Sequence, residues 1–328
     1  MSSDSPPYEG LTPDRVLDAV ESLGYLTNGR QLALNSYENR VYQVGIEDQD
    51  PLIVKFYRPN RWSDEAILEE HRFTLELQQR ELPVVAPLTG PDGKSLYEWE
   101  SFRLAVFARR GGHWPDLDKP EHLEWMGRFL AQIHNHGATE SFQHRPALNI
   151  ELFGDRSLEF LMSHDFIPAE LQLPYRSLVE DLLKQIRRNY DMAGKVNNIR
   201  IHGDCHPGNI LWTDDGPHFV DFDDTRTGPA IQDLWMLLSG EAAEMALQMS
   251  DIIEGYEVFR EFDRRELNLL EALRTLRMLH YSAWLARRWT DPAFPANFPW
   301  FNTSRYWEDQ ILSLREQAAR LDEPVLNI

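Results

Sequence analysis

Three oxygen-bearing side chains, Asp204, Asn209 and Asp221, fall in one short part of the chain. The stretch Ile201-His202-Gly203-Asp204-Cys205-His206-Pro207-Gly208-Asn209-Ile210-Leu211-Trp212 is followed shortly by Val220-Asp221-Phe222-Asp223-Asp224. Phosphoryl transfer asks a protein for little covalent chemistry: a carboxylate to receive the acceptor hydroxyl's proton, and oxygen ligands for Mg²⁺. A loop carrying Asp204 and, five residues later, Asn209 can place a base and a metal ligand in one crevice. Two apolar runs, Ile210-Leu211-Trp212 and His218-Phe219-Val220, flank Asp214-Asp215-Gly216. Asp-Gly between such runs predicts a hairpin, which would return Asp221 to Asn209 as a second ligand. Mg²⁺ takes one or two carboxylates with phosphate oxygens and water, and this set offers that. Asp and Asn are also ordinary turn formers. Their joint arrangement around a hairpin is what points to chemistry, with Asp204 and Asp221 catalytic and Asn209 and Asp221 on the metal.

His202, Cys205 and His206 raise a zinc alternative. Ligands at these spacings in a Gly/Pro-rich loop have no helix to aim them, and no second Cys/His pair follows. His202 is expected to shape the loop through the backbone, and Cys205 to be a small loop residue.

A nucleotide site in this chain needs local cations. Lys55 sits inside the apolar strand Leu52-Ile53-Val54-Lys55-Phe56-Tyr57, where a lysine is out of place unless paired. It reads as a contact to the α/β-phosphates of ATP, against an edge-strand lysine facing solvent. In the following helix Ala66, Glu70, Phe73 and Leu77 share one stripe. That places Glu70 among core positions, where an unpaired charge is costly, so Lys55 is its expected partner. Glu69 points away and is the weaker candidate. Phosphate-cradling loops are usually glycine-rich, yet the turn Asn35-Ser36-Tyr37-Glu38-Asn39-Arg40 has no glycine. Side-chain donors, chiefly Ser36, would have to meet the phosphates, although a plain hairpin turn has the same spacing. Asp233 opens an apolar helix and could anchor the Asp204 loop through backbone N–H groups, or serve only the helix dipole. The aromatic run Trp289 to Trp300 is too proline-broken for a helix, and reads as a packed loop or a substrate-side wall.

The elements that must carry these residues are legible in outline. Thr12-Pro13-Asp14 opens a helix that Gly24 closes. Gln31 to Tyr57 reads as strand, turn, strand, broken at Asp48-Gln49-Asp50-Pro51. Ser63-Asp64-Glu65 caps a helix to about Arg80, and strands follow near Leu96–Trp99 and Phe102–Phe107. After Pro120 helices dominate: Glu121–His136, Leu173–Met192, and nearly everything from Pro229. The fold class expected is α+β. A small antiparallel β lobe with one long helix (residues 1–108) would bind the nucleotide. A hinge at 109–112 would lead to a mainly helical lobe (113–328) carrying the Asp204 loop and the hairpin.

With 328 residues, 42% hydrophobic, the chain is long enough for two domains or two lobes. No run reaches the roughly 18–20 apolar residues of a membrane span, and the polar, acidic start Met1–Gly10 predicts no signal peptide. A lone cysteine fits a reducing cytosol. The net charge of −20 argues against nucleic acid and anionic lipid as partners, and mildly favours cationic substrates.

His-Gly-Asp-x-x-x-x-Asn followed by an aspartate-ended strand resembles the aminoglycoside phosphotransferase and choline kinase superfamily, a branch of the protein-kinase-like bilobal fold, from about Arg40 to Leu238. More narrowly, Leu34–Tyr42, Val54–Pro59, Ile67–His71, the Asp204 loop, Gln232–Met236 and Asp291–Pro295 resemble the bacterial stress response kinase A family. The resemblance implies a cytoplasmic, monomeric serine/threonine protein kinase of the envelope-stress response. It implies Asp204 as proton acceptor, Asn209 and Asp221 as Mg²⁺ ligands, and Ser36 as an ATP contact. Asp221-Phe222-Asp223 lacks the glycine of the protein-kinase Asp-Phe-Gly, and nothing like Ala-Pro-Glu follows. A small-molecule kinase of the choline, homoserine or aminoglycoside type is the alternative, and a pseudokinase a third reading. The presence of Lys55, Asp204, Asn209 and Asp221 together argues against the last.

Overall fold

The computed structural model describes residues 6–323, 325–326 and 328. In chain order the first elements are α1 (Pro13–Ser22), β1 (Thr27–Ala33), β2 (Arg40–Ile46), β3 (Leu52–Phe56), α2 (Asp64–Gln79), β4 (Tyr97–Trp99) and β5 (Phe102–Ala108). Next come α3 (Pro120–Gly137), a π turn (Glu151–Asp155) running into α4 (Arg156–Met162), and α5 (Ala169–Ala193). Four short strands follow: β6 (Ile199–Ile201), β7 (Ile210–Thr213), β8 (Gly216–Phe219) and β9 (Arg226–Gly228). The chain ends on α6 (Ile231–Trp235), α7 (Ala242–Glu257), α8 (Leu270–Arg287), α9 (Ala293–Asn297) and α10 (Ser304–Asp322). The mixed α+β content matches the expectation. No described helix is long and apolar enough to cross a membrane.

The chain forms two compact units. The first takes the chain up to Pro115, Phe142–Arg145 and His206–Thr225. The second takes Asp116–Ser141, Pro146–Cys205 and the chain from Arg226 onward.

In the first unit the caps read from sequence are in place. Thr12 accepts from the Arg15 N–H and Ser63 from the Ala66 N–H, each satisfying an orphan donor of its helix. The five-stranded sheet has the order β1-β2-β3-β5-β4 and all its pairings are antiparallel. Val16, Ala19 and Val20 of α1 pack with Val44, Val54, Phe56, Phe102 and Leu104. Side chains alternate along a strand, so Tyr57 and Ala105 face the other way and meet Ile67 of α2. Lys55 lies opposite Ala105 in the ladder and shares that second face.

The β7–β8 hairpin belongs to this unit, joined by backbone bonds. Phe219 N–H donates to Pro83 O at 2.7 Å, Val85 N–H to Phe219 O at 3.0 Å, and Trp212 N–H to His113 O at 2.7 Å. Gly112, at φ +155°, permits the last contact, since a Cβ there would stand 2.9 Å from the Trp212 carbonyl oxygen.

In the second unit α3 and α7 cross closely enough that only glycine fits at both contacts. A Cβ on Gly127 would meet Ile252 O, and one on Gly255 would meet Glu124 O. The paired strands β6 and β9 lie just before and after the candidate residues. Helix α5 begins at Ala169, earlier than Leu173, and carries Pro174 inside it. Pro168 is its N-cap, and the Leu171 N–H donates to Pro168 O at 2.9 Å in its first turn. The aromatic run is not wholly loop. Asp291 Oδ1 accepts the Ala293 N–H at 3.0 Å in a turn that leads into the short helix α9. Pro292, at its N-cap, already has helical backbone angles, so a proline there is compatible with the helix start. Phe294, Phe298 and Phe301 of this run are buried.

Candidate active site

Asp204 belongs to the second unit, and Ser36, Lys55, Glu70, Asn209 and Asp221 to the first. The loop leading to Asp204 is tied to a buried carboxylate. Asp233 accepts the N–H of His202 and of Gly203, both at 2.8 Å. His134 on α3 holds the same carboxylate through Nε2 at 2.9 Å, and its Nδ1 meets the Tyr256 hydroxyl at 2.9 Å. Gln232 Nε2 donates to Gly203 O at 3.2 Å. Burial alone would raise the Asp233 carboxyl, but His134, His202 and the Gly203 N–H outweigh it and hold it below the usual range. Asp233 is therefore an anchor, one of the two roles open to it.

His202 Nδ1 accepts the Asp204 N–H at 3.3 Å, the loop-shaping role expected. His206 Nδ1 likewise accepts the Gly208 N–H at 3.0 Å. Cys205 is fully buried, and burial pushes its thiol well up, which keeps it protonated and poorly nucleophilic. Asp204 keeps 23% of its side chain exposed, and Arg277 Nη1 of α8 stands 2.7 Å from its Oδ1.

In the first unit the hairpin does what its spacing predicts. The Val220 N–H donates to Asn209 O at 3.0 Å, which brings Asp221 beside Asn209. Asp221 is left-handed, at φ 59° and ψ 62°, a conformation that costs a non-glycine residue energy and concentrates at functional sites. Its side chain is 51% exposed, and Lys55 Nζ lies 2.7 Å from Oδ1. Burial would lower the Lys55 ammonium, but the charges of Asp221, Asp223 and Glu70 raise it above its ordinary value. The Asp221 carboxylate and the Asn209 amide, on chain segments joined by that backbone bond, can offer oxygen donors only, the chemistry that fits a hard divalent cation such as Mg²⁺.

The partner expected for Lys55 was Glu70, and the ion pair is made with Asp221 instead. Glu70 is buried with Arg145 Nη1 3.8 Å from its Oε2. Burial pushes its carboxyl up to about 7, against the lowering pull of Lys55. Glu69 is buried as well, accepting the N–H groups of Gln143, His144 and Arg145 at 2.7, 2.8 and 3.0 Å. Ser36 donates its hydroxyl to Asn39 O at 3.2 Å, and Asn39 Oδ1 accepts the Arg58 N–H at 3.1 Å. Side chains thus close the turn that glycines would otherwise relax.

Residues 30–270 match the phosphotransferase enzyme family (APH). The chain is 43% identical over 328 residues to stress response kinase A of Escherichia coli O157:H7, covering 100% of this chain and 99% of that one. It is 42% identical over 330 residues, with the same coverage, to a Salmonella typhimurium protein named serine/threonine protein kinase RdoA. The chain belongs to the phosphotransferase enzyme family. Within it, its relatives are the stress response kinase A proteins. Among solved structures, an amicoumacin kinase in complex with AMP-PNP and Ca²⁺ superposes with a TM-score of 0.71 at 18% identity, covering 92% of this chain and 93% of that one. That likeness shows the kinase-like fold expected from the motifs.

Several residues of this phosphotransferase escaped the reading of its sequence. Arg61 donates to Asp223, and to Asp224 at 2.9 Å, and Arg145 donates to the carbonyls of Asp223 and Thr225. Together they grip the segment after Asp221. No local pattern marks either arginine, because their partners are distant in sequence. His134 did carry a signal: it falls on the buried stripe of α3 with Met126 and Leu130, where a histidine needs a partner.

Proposed function

We propose that the chain is an ATP- and Mg²⁺-dependent serine/threonine protein kinase of the bacterial stress response, working in the cytoplasm. Asp204 accepts the proton of a seryl or threonyl hydroxyl as its oxygen attacks the γ-phosphorus of ATP and the bond to the β-phosphate oxygen breaks. Asn209 and Asp221 hold Mg²⁺, which when bound neutralises charge on the phosphate oxygens. Lys55 serves the α/β-phosphates, Ser36 supplies a hydroxyl donor to the nucleotide, and Glu70 adds negative charge that keeps Lys55 a cation. The observation that carries this reading is the ion pair of Lys55 with a half-exposed, left-handed Asp221 beside Asn209. Full-length similarity to stress response kinases, one of them named a serine/threonine protein kinase, supports the acceptor class.

Incubation with γ-labelled ATP and Mg²⁺ against a protein extract and a metabolite panel tests it. Label is expected on serine and threonine of proteins, this chain included. A small amino alcohol phosphorylated with kcat/KM above about 10⁴ M⁻¹s⁻¹ while proteins stay unlabelled would make it a metabolite kinase instead.

A further inference from the structure

On α8 the residues Arg277, Tyr281 and Trp284 follow the i, i+4, i+7 spacing that lines one face of a helix. Arg277 heads the row, with Nη1 2.7 Å from Asp204 Oδ1 and its side chain 42% exposed. Tyr281, 41% exposed, stacks on Trp284 with ring centroids 5.7 Å apart and planes at 19°. Trp284 is backed by Phe294 and Phe298 at 5.0 and 5.9 Å, so the aromatic run near the C-terminus props this platform from behind. The Arg288 guanidinium lies over the Trp284 ring at 5.3 Å. The row from the base outward is thus cation, aromatic, aromatic, cation.

This arrangement runs against the chain's net charge of −20, which by itself suits cationic substrates. An ammonium group brought beside Asp204 would meet the Arg277 guanidinium. Like charges within about 5 Å at a protein surface repel strongly enough to cost a factor of ten or more. An acceptor carboxylate there would instead pair with Arg277 and draw it from Asp204, leaving that oxygen to receive the hydroxyl's proton. A residue next to the acceptor in an extended peptide is displaced by roughly 3.5 Å, within reach of such a contact.

We propose that Arg277 determines acceptor specificity, selecting a serine or threonine that neighbours an aspartate or glutamate, with the peptide laid along Tyr281 and Trp284. The charge preference rests on Asp204 as the base, and its peptide form rests on the protein-kinase reading above.

The test uses the full chain and serine peptides that differ only in the residue beside the serine: Glu, Ala or Lys. A hydroxy acid, a neutral alcohol and an amino alcohol are run in parallel. The wild-type protein should favour the Glu over the Lys peptide by roughly tenfold or more in kcat/KM, the worth of a hydrogen bond to a charged group. Arg277→Gln should bring that ratio close to one, and Arg277→Glu should reverse it. A wild-type ratio near one, or a ratio that Arg277→Gln leaves unchanged, overturns the proposal, and the wild-type series alone decides if a variant fails to fold. If only small alcohols are labelled, the protein-kinase reading fails separately. The order anionic, neutral, cationic among those alcohols, or its absence, then decides the role of Arg277.

Discussion

Asp221 and Asp233 are close in sequence and face opposite surroundings. Asp233 is wholly buried and receives two backbone N–H groups and a histidine. Asp221 is half exposed, sits on a left-handed backbone and meets a lysine through one oxygen. A carboxylate saturated by its own protein stabilises a loop. One held in a costly conformation at the surface fits the proposed role of Asp221 as a ligand to a metal ion from outside the chain. The same contrast separates Glu69, which caps three N–H groups, from Glu70, which lies among cations and carboxylates.

The contrast breaks most sharply if the two aspartates respond alike to truncation. Asp221→Ala should lower turnover by on the order of 10³-fold, the several kcal/mol that a catalytic metal supplies, and should weaken Mg²⁺-dependent ATP binding. Its cost in stability should stay below that of Asp233→Ala, because Asp221 is half exposed and the charges of Asp223 and Glu70 remain near the buried Lys55. Asn209→Ala should act in the same direction and more weakly, having no charge to remove. Activity that survives EDTA would contradict the metal role.

Asp233→Ala should do the reverse and strike stability first. Removing a buried carboxylate that satisfies His134 and two N–H groups should cost about 3–5 kcal/mol in denaturant unfolding. A variant as stable as the wild type would show that the loop before Asp204 has another anchor.

Glu266 extends the comparison to pH. It is buried, accepts the Ile231 N–H at 2.8 Å, and burial pushes its carboxyl up to about 7 from an ordinary 4.5. A raised carboxyl contributes stability that is fully present below the unfolded value and is lost as pH rises through the folded one. The gap between 4.5 and about 7 corresponds to roughly 3 kcal/mol. Wild type should therefore lose stability relative to Glu266→Gln between pH 4.5 and 8, and parallel melting curves across that range would refute the assignment.

The smallest expected effect concerns the lysine's choice of partner. In double-mutant cycles on turnover, Lys55→Met should couple more strongly to Asp221→Asn than to Glu70→Gln, within the usual range of about 0.5–3 kcal/mol. Stronger coupling to Glu70 would restore the pairing read from helix periodicity.

What the sequence made legible was local. Thr12 and Ser63 caps, the Asp-Gly hairpin and the return of Asp221 to Asn209 all depend on residues close in the chain. Helix periodicity placed Glu70 on a buried face correctly, yet it could not say which cation lies there, since Lys55 and Arg145 arrive from separate segments. Strands β6 and β9 carry too few residues to show a period. Arg277 reaches Asp204 from a distant helix, and nothing around it in sequence announces that contact. The α9 turn was obscured by Pro292 and Pro295, whose count suggested loop although one of them serves as a helix start.

The most direct test of the account is the Asp204→Asn protein, compared with wild type for ATP binding and for phosphate transfer under saturating Mg²⁺. Turnover should fall by roughly 10² to 10⁴, the usual worth of a general base, while ATP affinity and melting temperature hold. A folded Asp204→Asn protein that turns over like the wild type would contradict it.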